Sequence, residues 1–106
     1  MGTDGERDDR ADDRAGDREA GEDIAFEARL ARARWRSRRG LLELELLLIP
    51  FAAEALSTLP LPMIRAYEAL LEFDDLDVHE WLLSRSAAPD PVRDIVAEIR
   101  RFLRLD

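Results

Sequence analysis

From Ile24 onward the chain alternates apolar stretches with breaks, and most stretches repeat at the three-to-four-residue period of a helix. Ile24, Phe26, Leu30 and Trp35 lie among alanines and arginines and predict a first helix ending near Arg39. Gly40 follows, where a left-handed glycine commonly closes a helix. Residues 41–59 carry two periods at once. Leu42-Glu43-Leu44-Glu45-Leu46 alternates as a strand does, whereas Leu44, Leu47, Leu48, Phe51, Ala55 and Leu56 keep helical spacing over a longer window. Leucine and glutamate are strong helix formers and no β-branched residue precedes Ile49, so a second helix is expected, bent or split by Pro50.

Thr58-Leu59-Pro60-Leu61-Pro62 is a break, and Pro62 suits the first turn of a third helix reaching about Glu72. That helix would bury Ile64, Tyr67, Leu70 and Leu71. Asp74 and Asp75 offer an N-cap for a short fourth helix with Val78, Trp81 and Leu82 inward. After a second break at residues 86–89, Asp90 is expected to cap the last helix, with Pro91 at its first position. Val92, Ile95, Val96, Ile99, Phe102 and Leu103 form its apolar stripe. The expected fold is all-α: one small bundle of about five short helices over residues 24–106.

Composition changes the picture at the N-terminus. Residues 1–23 hold ten acids and four arginines and, after Met1, no aromatic residue and no aliphatic one larger than alanine. Such a segment buries too little surface to offset its chain entropy, so a disordered acidic arm is expected over 1–23. Residues 24–40 reverse the sign, with six arginines against Glu27 alone, and residues 41–106 are acidic again. The net charge of -8 disfavours nucleic acid as a partner unless the basic stretch binds alone. The longest apolar run, residues 46–53, is too short to span a bilayer, and the acidic first twenty residues lack the apolar region of a secretion signal, so a cytoplasmic location with no direct membrane insertion is expected.

Chemistry-bearing residues are sparse. The chain has no cysteine, no lysine and one histidine, which removes thiol nucleophiles, thiolate metal sites and Schiff-base chemistry. Ser37, Ser57, Ser84 and Ser86 have no triad companions, and no glycine-rich phosphate loop is present. Asp74-Asp75-Leu76-Asp77 lacks the glycine and terminal glutamate of a calcium loop and is accounted for as a helix cap. His79 reads as a surface or packing residue. No catalytic set and no metal site are therefore expected.

Two surface features remain. Arg29, Arg32, Arg34, Arg36, Arg38 and Arg39 would suit phosphate contacts with Trp35 as a stacking platform, an acidic protein surface, or simply a solvated face. Arg38-Arg39-Gly40-Leu41-Leu42-Glu43 places two guanidiniums beside a glycine and a carboxylate one turn into the next helix. It reads either as a capped helix junction favoured by the helix dipoles, or as a docking point where the missing side chain lets a partner's backbone approach.

The string Trp35-Arg36-Ser37-Arg38-Arg39-Gly40-Leu41-Leu42-Glu43-Leu44-Glu45 resembles the W-x-x-R-R-G-x-x-E-L-D signature of the SdhE family of FAD assembly factors, called succinate dehydrogenase assembly factor 2 in mitochondria. The resemblance continues at Ile49-Pro50-Phe51, at Leu71-Glu72-Phe73-Asp74-Asp75-Leu76-Asp77-Val78 and at Trp81-Leu82. It implies a five-helix protein, not an enzyme, that binds the flavoprotein subunit of succinate dehydrogenase or fumarate reductase. Such a protein promotes covalent attachment of FAD to a histidine of that subunit. Arg39, Gly40 and Glu43 would lie on the docking surface with Arg38 and Glu45 nearby. A monomer with no stably bound cofactor is expected, and direct contact with FAD is left open. Glu45 departs from the family aspartate by one methylene, and an antitoxin-like regulatory module is the competing reading.

Overall fold

Five helices succeed one another in the computed structural model, which describes residues 11–105, with side chains described from Glu22 onward. They are α1 (Ala11–Arg36), α2 (Leu42–Glu54), α3 (Leu61–Leu70), α4 (Asp75–Leu82) and α5 (Asp90–Leu103), with a 3-10 turn at Leu56–Thr58 and no strand among the described residues. The all-α expectation holds. Residues 1–10 of the expected arm lie outside the described residues, and the backbone is helical from Ala11.

The core forms where the apolar stripes converge. Val92, Ile95, Val96 and Ile99 of α5 are buried and face Ile64, Tyr67 and Leu70 of α3, the most extensive helix pairing in the fold. Leu44, Leu48, Phe51 and Ala52 of α2 close the core from one side, with the Phe51 ring 5.6 Å from Tyr67 and edge-on to Phe102 at 5.4 Å. Among the described side chains, Leu30 and Ala33 are the buried residues of α1, and Val78 and Leu82 those of α4. Of the apolar residues that predicted α1, Phe26 is half-buried, while Ile24 and Trp35 face solvent.

Three local expectations are corrected. α1 ends at Arg36, and Gly40 is not left-handed. Side chains take over the capping instead: the Ser37 hydroxyl donates to the Ala33 carbonyl at 2.8 Å and Arg39 Nη1 donates to the Arg36 carbonyl at 2.9 Å. Of the two outcomes expected at Pro50, a bend or a split, the split does not occur: the proline lies inside one continuous helix, and the break comes at Ala55 instead. Helical pairing on both sides carries the chain past the proline's missing donor. In α5 the cap is Pro89, in extended conformation, so Asp90 occupies the first helical position and pairs with Arg93 at 2.5 Å. Asp74 does cap α4 as expected, accepting from the Leu76 amide at 3.1 Å.

Candidate docking site at the α1–α2 turn

The four residues Arg38, Arg39, Gly40 and Glu43 come together on the turn between α1 and α2, but they play different parts. Arg39 is turned into the fold: its Nε donates to Asp75 Oδ1 at 2.8 Å and its Nη2 to the Phe73 carbonyl at 3.3 Å. With Nη1 on the Arg36 carbonyl, one guanidinium binds three acceptors from the end of α1 and the start of α4. The planar fork of arginine allows this, where a lysine would make a point contact. The Arg39 side chain is only 14% exposed.

Gly40 lies beside this brace and is exposed. Its amide donates to Asp75 Oδ2 at 3.2 Å, so one carboxylate holds two consecutive residues of the turn. A Cβ placed on Gly40 would have only that Oδ2 nearby, at 3.9 Å, an ordinary contact. Neither backbone strain nor crowding inside the fold requires glycine here. Glu43 is exposed in the first turn of α2, where its charge complements the helix dipole, and it has no ion-pair partner among the described residues. Arg38 is also exposed and stacks over Trp35 at 4.8 Å from the ring centroid. Glu45 is half-buried and sits roughly 200° around the helix from Glu43, so it does not share that face.

Beneath the turn lies a polar pair with no counterpart in the sequence reading. Ser37, fully buried, sits 2.5 Å from the Tyr67 hydroxyl. The serine proton is spent on Ala33, so the tyrosine is the donor. Burial pushes the Tyr67 pKa up to about 12, against smaller opposing effects of the Ser37 hydrogen bond and the Arg39 charge.

Most of the basic stretch is occupied by the fold itself. Arg29 pairs with Glu68 at 2.9 Å, Arg36 with Glu72 at 2.6 Å, and Arg34 Nε donates to the Ala52 carbonyl at 2.9 Å. These bonds weigh against an arginine face poised for phosphates and favour the solvated-face reading. The hollow they border, between α1 and α3, measures about 460 Å³ and is lined by Arg32, Arg65 and the two ion pairs. Its walls are open and largely charged. Among the described residues no three histidine, cysteine, aspartate or glutamate side chains gather as a metal site, and no helix is long and apolar enough to cross a membrane.

Sequence reasoning missed Asp75 as the partner of Arg39 and Gly40. The available signal was the doubled aspartate: Asp74 alone serves as the cap, which leaves Asp75 for another task.

Comparison with known proteins bears on the same residues. The family model described as flavinator of succinate dehydrogenase matches residues 31–103. The FAD assembly factor SdhE of Pseudomonas aeruginosa is 37% identical over 82 residues, covering 77% of this chain and 90% of that protein. Its namesake in Pseudomonas putida is 37% identical over 79 residues, covering 74% of this chain and 87% of that protein. The mitochondrial succinate dehydrogenase assembly factor 2 of Schizosaccharomyces pombe is 33% identical over 81 residues, covering 74% and 58%. No solved structure matches the chain. With the match running from α1 through the turn to the end of α5, the chain belongs to the family of succinate dehydrogenase flavinators.

Proposed function

We propose that this protein is an assembly factor that docks on the flavoprotein subunit of succinate dehydrogenase or fumarate reductase and promotes covalent attachment of FAD there. Gly40 carries the reading. It stands exposed, with ordinary backbone and room for a side chain, between an outward Arg38 and an outward Glu43. A missing side chain that the fold does not need makes sense if a partner's backbone packs against that point. Arg38, Gly40 and Glu43 would meet the partner directly, Glu45 would lie at the margin, and Arg39 would act by holding the turn.

The protein is not itself the enzyme in this reading. It supplies no group to the flavin. It holds the flavoprotein so that flavin and target histidine are aligned, which accelerates attachment by positioning. In this reading FAD is cargo of the partner rather than a ligand of this chain. A monomer acting in the cytoplasm suffices for this.

Co-expression with the flavoprotein, read as covalent flavin fluorescence in a denaturing gel, tests the reading. Gly40→Arg and Glu43→Ala should each abolish flavinylation while leaving helical content and thermal midpoint at wild-type values. Undiminished flavinylation by both variants would overturn it.

A further inference from the structure

α2 carries a second apolar stripe that the core does not use. Leu44, Leu48, Phe51 and Ala52 turn inward, and on the opposite side Leu42, Leu46, Ile49 and Ala53 face solvent at the same helical spacing. Leu42 and Leu46 are each 64% exposed and Ile49 is 41% exposed. The stripe runs roughly 17 Å along the helix axis. It starts between Gly40 and Glu43, so it continues the docking turn without a gap in the chain. Large exposed apolar residues at regular spacing on one face are uncommon on a surface with no partner.

The charges beside the stripe point to its occupant. By helical geometry Glu43 and Glu54 flank it on one side and Glu45 on the other, and α2 has no basic residue. Two copies of this chain meeting through the stripe would bring carboxylates against carboxylates, which opposes self-association. A partner surface that is apolar at its centre and edged with arginine or lysine would match both the stripe and its flanks.

We infer that the outward face of α2, Leu42-Leu46-Ile49 with its acidic flanks, is the main apolar contact for a basic-rimmed surface of the flavoprotein subunit. This rests on the docking reading above. The Gly40 turn sets the register, and the stripe supplies most of the affinity.

The test uses the full chain and the purified flavoprotein subunit, with affinity measured by titration calorimetry. The triple variant Leu42→Gln, Leu46→Gln, Ile49→Gln should keep its thermal midpoint, since the residues are exposed, yet bind about 100-fold more weakly. Glu45→Arg with Glu54→Arg should weaken binding about tenfold at low salt, with the difference shrinking at high salt. Leu61→Gln, an exposed apolar change on α3, is the control and should alter nothing. Unchanged affinity in the triple variant, with binding abolished by Gly40→Arg, would overturn the stripe proposal and leave the docking reading standing. Unchanged affinity in both would overturn the docking reading as well. Loss of binding in the triple variant alone would uphold the stripe and remove Gly40 from the interface. A wild-type dimer that the triple variant dissolves, without effect on flavoprotein affinity, would assign the stripe to a second copy and overturn the proposal.

Discussion

Tyr67 and Gly40 show how single residues divide the work of fold and surface. The Tyr67 hydroxyl is buried and donates to Ser37, and its pKa stands near 12 against about 10 in an unfolded chain. The unfolded state therefore loses this proton first as pH rises. Stability from this group is complete below about pH 10 and falls between about pH 10 and 12, by about 3 kcal/mol at most. Urea unfolding across that range should show the decline in the wild type and a flatter profile in Tyr67→Phe. At neutral pH the same substitution should cost about 1 kcal/mol, because Ser37 keeps its bond to Ala33. Gly40 is the opposite case. Gly40→Ala should leave the urea midpoint unchanged or slightly raised, since the backbone is not left-handed and the space is open. A loss of about 1 kcal/mol would restore the helix-cap explanation.

Among the elements, α4 is the one whose role reaches furthest beyond its length. Its two leading aspartates do separate jobs, Asp74 capping its own helix and Asp75 holding the α1–α2 turn. Asp74→Ala should cost about 1 kcal/mol of stability with flavinylation by the folded protein intact. Asp75→Ala should cost about 2 kcal/mol and also reduce flavinylation, because Arg39 loses its charged acceptor and the turn its anchor. Thermal melts paired with the gel assay separate the two. Helix existence was legible in the sequence because apolar spacing and prolines are local signals, and α3, α4 and α5 lie close to their expected spans. The Arg39–Asp75 bond was not legible, since it joins residues 36 positions apart and depends on how helices pack. Gly40 was legible as important but misread in mechanism: a glycine after a helix suggests a left-handed cap, and only the backbone itself shows otherwise. The outward stripe of α2 was present in the spacing too, hidden because one leucine-rich segment served both faces.

Across the described residues, the core and the proposed docking face are spatially separate. α3 and α5 carry the densest packing, while the turn and the outer face of α2 are exposed. Ile99→Ala in α5 should therefore lower stability by about 3 kcal/mol. Flavinylation per folded molecule should stay at the wild-type level, checked by normalising the gel signal to the folded fraction from circular dichroism.

The bond between Asp75 and the Arg39-Gly40 turn has a temporal meaning as well. A chain still being synthesised can form α1 and α2, yet its turn has no anchor until the residues beginning α4 have emerged and docked. On the docking reading proposed above, competence to bind a partner thus waits on the arrival of α4, well after the turn itself has been made.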